Sequence, residues 1–167
     1  QPPKEVDDSG AADELIRLID LMDVVPKRMG ITGGEPTLLG DGLARVLDRL
    51  KARFPETPVT MLSNARLFAN EQLTRTLAAV AHPLLLTSVP LYANNAVDHD
   101  YVVQAKGAFD QTVIGLHHAA KHGLAVEIRV VLHKQTIPGL LALVDYVYRN
   151  LPFVQHVNLM GMENMGY

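Results

Sequence analysis

The sequence contains no cysteine, so disulfides and thiolate metal sites are excluded for its 167 residues. No apolar stretch approaches the roughly 18 residues of a membrane span. The opening QPPKEVDDSG has neither the basic region nor the apolar core of a secretory signal. A cytoplasmic protein without membrane contact is the expectation. Excess positive charge is missing as well: 15 Lys and Arg stand against 18 Asp and Glu, a net charge of -3, with no basic run. That balance leaves no electrostatic footprint for nucleic acid. An initiator methionine is also lacking. The chain starts at Gln1 and stops at Gly166-Tyr167, shortly after an apolar strand-like segment, as a piece of a longer protein would.

What is present is a hydrophobic content of 48%, enough for one domain of this length to bury a core. Short apolar runs alternate with longer segments of helical period, the pattern of repeated strand-helix units and a parallel sheet. Strands are predicted over Arg28 to Thr32, Val59 to Ser63, Leu84 to Val89, Ala125 to Leu132 and His156 to Met160. Helices are predicted over Ala11 to Val24, Gly42 to Phe54, Glu71 to Val80, Phe109 to His122 and Pro138 to Asn150. In the second helix Leu43, Val46, Leu47 and Leu50 fall on one stripe, and Pro55 ends it. Ser9 stands where it could cap the first.

A sheet built from such units collects every loop that follows a strand on one rim, where these folds bind ligands. The rim gathers Gly33 to Pro36, Ser63-Asn64, Ser88, His133 and Gly161 to Glu163. Strand 125–132 alternates: Val126, Ile128, Val130 and Leu132 form one face, Glu127, Arg129, Val131 and His133 the other. With the aliphatic face on the helices, the charged set faces inward, and Arg129 needs an anionic partner there. An internal pair with Glu127 and a ligand carboxylate both satisfy that need. On the last strand Asn158 is a further inward polar candidate.

Residues 31–40 read ITGGEPTLLG, a glycine turn with a carboxylate inside it. A phosphate loop would need a lysine and a hydroxyl at the helix start, and a fixed negative charge would repel an anion. Turn carbonyls plus Glu35 suit a cation such as an amino-acid ammonium. The alternative, a tight turn whose Glu35 caps the helix that follows or is solvated, fits the spacing equally well. Two other constellations favour structural readings. His118 and His122 share a helix face but lack a third ligand and stand beside Lys121, so a solvated face is expected. The run Asp98-His99-Asp100 is placed in a polar loop, where capping is favoured over acid-base work. Met160, Met162 and Met165 are expected as core or pocket lining.

ITGGEPTLL after a strand, LSNA at the end of the next, TSVPLY at the third and HDYVVQAKGAFDQTVIGL ahead of the fourth together resemble the radical S-adenosylmethionine (radical SAM) superfamily. Within it, the finer resemblance is to the C-type peptide maturases of His-Xaa-Ser repeat systems. The resemblance implies an α/β fold: a partial TIM-like barrel with about five parallel strands here, the first of about six units missing. Residues 1–167 would be one truncated core domain of a longer protein. It implies that SAM is cleaved reductively to a 5'-deoxyadenosyl radical, which acts on a peptide or protein substrate with the help of an electron donor. By positional transfer Gly33, Gly34, Glu35 and Pro36 would receive the methionine ammonium, and Ser63 and Asn64 would lie near the methionine or ribose. Ser88 would lie near the ribose or carboxylate, Arg129 near the carboxylate, and Asn158, Met160 and Met162 would line the adenine side. No side chain is assigned a catalytic proton.

One departure is severe. The superfamily holds a [4Fe-4S] cluster on closely spaced cysteines after its first strand, and this chain has none. The expectation is a chain that begins just after that motif, is inactive as it stands, and leaves the edge of strand 28–32 open to self-association. Two other readings remain: a cluster-free module that binds SAM or an amino acid, and a barrel lyase working through a lysine such as Lys134.

Overall fold

The computed structural model describes residues 10–161. Its strands are β1 (Met29–Ile31), β2 (Val59–Leu62), β3 (Leu85–Pro90), β4 (Ala125–Leu132) and β5 (Val157–Gly161), all parallel in the order β1-β2-β3-β4-β5. The helices are α1 (Ala11–Leu21), α2 (Asp41–Arg53), α3 (Glu71–Ala79), α4 (Ala96–Val103), α5 (Ala108–Lys121) and α6 (Leu140–Asn150). Each strand except β5 is thus followed by at least one helix. The result is an open sheet with the architecture of a partial TIM-like barrel. The outer edges of β1 and β5 pair with no strand among the described residues. No helix among them is long and apolar enough to cross a membrane.

The helices cover one face of the sheet. Val59, Met61, Val89, Val126, Ile128 and Val130 project from that face into a common core with Leu43, Leu47, Leu116 and Leu143. Each fully buried side chain of this kind contributes about 1.5 to 3 kcal/mol. The opposite face is concave: Thr60, Leu86, Glu127, Arg129 and Asn158 from successive strands line one interior cavity of about 370 Å³. The inward face of β4 is therefore the charged one, as its alternation predicts.

Strand positions follow the hydrophobic pattern to within two residues, and α1 stops at Leu21 rather than Val24. Ser9, Met162 and Met165 lie outside the described residues. The loop expected around Asp98 is instead α4, started by Asn95, whose side chain accepts from the N–H of Asp98. Its buried residue is His99, a polar side chain, so no apolar stripe announces the helix. From within α4 the Asp100 carboxylate accepts the N–H groups of Phe109 and Gly107, capping α5; those bonds hold its carboxyl below the usual range. Burial pushes the His99 imidazole down in turn.

The face of α5 that carries His118 and His122 is not solvated as expected. Lys121 Nζ and His122 Nε2 lie 2.7 and 3.0 Å from Glu71 Oε1, while His118 Nδ1 meets the carbonyl of Phe68 at 2.9 Å. Both histidines join α5 to the start of α3.

Candidate functional site

Past the end of β1 the chain turns through Gly33 (φ 99°) and Gly34 (φ 23°), values that glycine adopts without strain, and neither carbonyl has a main-chain partner among the described residues. Pro36 then opens a short 3-10 turn, Pro36–Leu39, for which Glu35 is the N-cap. Glu35 Oε1 accepts from Thr37 N (3.1 Å), Thr37 Oγ1 (2.7 Å) and Ser63 Oγ (2.7 Å). Its Oε2 accepts from Asn64 N at 2.8 Å. The capping alternative is thus realised, and Ser63 and Asn64 join Glu35 as the rim argument requires. Every one of these donors is neutral. No cation lies within ion-pair distance of Glu35 among the described residues, so the carboxylate is fixed in place while its charge stays uncompensated.

The partner loop after β2 is fixed just as tightly. Ala65 adopts φ 57°, a conformation rare for a residue with a Cβ. Its N–H donates to Ser63 Oγ (3.0 Å), Asn64 Oδ1 accepts the N–H of Arg66 (2.9 Å), and Thr112 Oγ1 donates to the Asn64 carbonyl (3.0 Å). Gly115 on α5 packs against this turn, where a Cβ would overlap the carbonyl oxygen of Ala65. Between the two loops lies a cavity of about 360 Å³ lined by Glu35, Leu38, Asn64, Arg66, Leu67 and Gln111. A smaller one of about 120 Å³ shares Asn64 and Arg66 and extends to His99 and Val103.

Of the other expected site residues, Ser88 and Arg129 lie deeper. Ser88 is fully buried and donates to Glu127, itself only 4% exposed. Arg129 Nε lies 3.3 Å from Glu127 Oε1 without the alignment of a hydrogen bond, and His156 Nε2 lies 2.6 Å from Oε2. The first is a charge contact, and His156 adds a second cation when protonated. Glu127, Arg129, His156 and Asn158 line the interior cavity, not the rim cavity. Met160, expected as core or pocket lining, is instead exposed on β5, the edge strand of the sheet, and Met162 falls outside the described residues. His133 and the exposed Lys134 line a separate cavity of about 410 Å³ near Tyr101. Lys134 therefore lacks the dry pocket that activates a Schiff-base lysine.

Thr37, Arg66, Thr112 and Gly115 were not legible as site residues. Thr37 and Arg66 directly follow the Gly-Gly-Glu-Pro and Ser-Asn-Ala segments, which is the signal that could have found them. Thr112 and Gly115 reach the site only through the packing of α5.

No protein-family model matches the sequence, and no curated protein matches it. Solved structures do match in fold. Streptococcus suis SuiB superposes with a TM-score of 0.65 at 16% identity, covering 83% of this chain and 30% of its own. The anSMEcpe protein with bound AdoMet gives a TM-score of 0.68 at 13% identity, covering 96% of this chain and 45% of its own. Coproporphyrinogen III oxidase (HemN) from Escherichia coli, a radical SAM enzyme, gives 0.65 at 16%, covering 96% and 39%. The chain thus spans about a third to just under half the length of these proteins, and its fold is theirs.

Proposed function

We propose that this chain is the S-adenosylmethionine-binding core of a radical SAM enzyme that modifies a peptide or protein. The observation that carries the proposal is the uncompensated carboxylate of Glu35, fixed by four neutral hydrogen bonds beside the open carbonyls of Gly33 and Gly34. A ligand ammonium supplies the missing positive charge at that spot. Ser63 and Asn64 position the carboxylate and border the methionine. Arg129 and Asn158 line the interior cavity, toward which the nucleoside would extend, and Ser88 and Met160 would border it from β3 and β5. SuiB bound to S-adenosylmethionine and to its precursor peptide SuiA, and anSMEcpe bound to AdoMet with the Kp18Cys peptide, support both the ligand and the substrate class.

A [4Fe-4S] cluster does not fit the residues of this chain. It has no cysteine, and no group of three or more His, Asp or Glu among the described residues could hold a metal. The ligands of such a cluster, and an electron donor to it, would have to come from outside these 167 residues. What this chain does is hold and orient the methionine end of SAM and wall off the barrel interior. The missing thiolates favour one second reading, a cluster-free module that binds SAM or an amino acid without radical chemistry. A cytoplasmic setting suits either.

Calorimetric titration tests the proposal. SAM should bind the parent, and Glu35→Gln, which keeps the shape and removes the charge, should weaken it by about 1.5 to 3 kcal/mol. A parent chain that folds but does not bind SAM overturns the proposal, and equal affinity in Glu35→Gln overturns the assignment of Glu35.

A further inference from the structure

The rim helix α4 is held by polar contacts rather than by an apolar face. Of its eight residues only His99 is buried, while Val97 and Tyr101 stand 80% and 65% exposed. Ala96 alone among its apolar residues packs against the core, and the element α4 chiefly packs on is α5. Hydrogen bonds supply the rest of its attachment. Nδ1 of His99 accepts the N–H of Tyr92 at 3.2 Å, which ties α4 to the end of β3. The Asp100 carboxylate accepts the N–H groups of Gly107 and Phe109, which ties it to the start of α5. Residues 91–95 and 104–107, which flank the helix, form no strand or helix, and Gln104 (φ 56°) and Gly107 (φ 77°) both take left-handed values in the second link. An element with so little buried apolar surface is one that opens before the whole fold does.

Two cavities meet α4. His99 and Val103, four apart on one face, line the cavity of about 120 Å³ with Ala108 and Thr112; that cavity shares Asn64 and Arg66 with the rim cavity of Glu35. Tyr101, Val102 and Gln104 line the cavity of about 410 Å³ with His133 and Lys134. The geometry points to α4 as a lid between them. Its pivot is the end bound to α5 through Asp100, and its latch is the hydrogen bond from Tyr92 to His99. Opening joins the two cavities and exposes the inner end of the rim cavity, the gating role that such elements play beside binding sites. The lid is a property of the chain alone and holds whichever ligand the rim takes.

The lack of cysteine makes the test specific. Ala108 is 2% exposed and lines the smaller cavity, so Ala108→Cys places a single thiol beneath the lid. Its reaction with Ellman's reagent is followed at a series of urea concentrations, beside urea unfolding of the same protein. Opening of α4 alone should label the thiol roughly a hundredfold or more faster than global unfolding permits. The rate should also be nearly flat in urea at low concentration, since a local opening exposes little surface. Added to Ala108→Cys, His99→Ala should speed labelling roughly tenfold, the range for one hydrogen bond left unmade. His99→Asn, whose side-chain oxygen replaces Nδ1 as acceptor for Tyr92, should stay within about threefold of Ala108→Cys alone. Labelling that climbs with urea as steeply as unfolding does would mean that α4 opens only with the fold, and the lid is overturned on Ala108→Cys by itself, whether or not His99→Ala folds. A thiol that reacts as fast as in the unfolded chain overturns it as well, because the cavity then stands open. If His99→Ala lowers the unfolding midpoint without speeding labelling of the folded protein, or if His99→Asn opens as readily as His99→Ala, the latch is overturned.

Discussion

Glu35, in the loop past β1, and Glu127, on β4, are both immobilised carboxylates, one at the rim and one on the inner wall, and their neighbours are of opposite kinds. Around Glu35 all four donors are neutral N–H and O–H groups. Around Glu127 stand the guanidinium of Arg129, the imidazole of His156, which is a cation only when protonated, and the neutral Ser88 hydroxyl. Neutral donors fix the position of an anion and leave its charge available to a ligand. Cationic neighbours neutralise it, so the group serves the fold. The kind of neighbour, not burial, separates a candidate binding group from a structural one, since Glu127 is the more buried of the two.

The largest expected effect would break the rim half of the comparison from behind. Gly115→Ala puts a methyl group into the carbonyl of Ala65, and because the obstacle is backbone, neither side yields cheaply. The loss should be about 3 kcal/mol or more, the upper end for an overpacked core, with SAM affinity falling as Asn64 and Arg66 shift. Urea unfolding and SAM titration of the same variant read both quantities. An unchanged denaturation midpoint would show that α5 does not hold the turn.

On the inner wall the expected result is the reverse. Glu127→Ala leaves Arg129 without its counter-charge and should cost about 3 kcal/mol, the low end for breaking a buried pair, because the Arg129 side chain keeps 26% of its surface exposed. SAM affinity per folded molecule should be retained. Strong loss of SAM binding at unchanged stability would mean that Glu127, too, faces the ligand, and the contrast with Glu35 would collapse.

How far this contrast is visible in the linear sequence depends on the range of each contact. The strand-helix alternation and the inward charges of β4 are local periodicities, and they are legible. So is the Gly-Gly-Glu-Pro turn, although spacing cannot separate its two readings. Both prove compatible, because a cap made by neutral donors leaves the charge in place. The helix α4 was hidden because its buried side is a histidine. The link from His156 to Glu127 crosses from one strand to the next, and the contact of Gly115 with Ala65 spans two strand-helix units. Their register is fixed only by packing, which no short-range pattern reports.

The smallest expected effect sharpens the comparison with a third carboxylate, Glu71 at the start of α3. Its neighbours are cationic, as at Glu127, but it lies at the surface with 42% of its side chain exposed. Lys121 first, and then His122, hold its pKa down to about 2 against partial desolvation. A carboxyl whose folded pKa lies below its unfolded value stabilises the fold above the unfolded pKa, about 4.3 for Glu, and loses that contribution as pH falls through the folded one. The window is therefore from about pH 4.3 down to about 2. Because solvent and salt screen such a pair, the contribution should be small and should shrink at high ionic strength. Thermal melts of the parent and Glu71→Gln across that window, at low and high salt, make the measurement. The parent should lose slightly more stability than the variant on acidification at low salt, and the two curves should converge at high salt. Parallel curves at low salt would show that cationic neighbours at an exposed carboxylate contribute nothing to the fold. Charge compensation would then matter only where the pair is buried, as it is at Glu127.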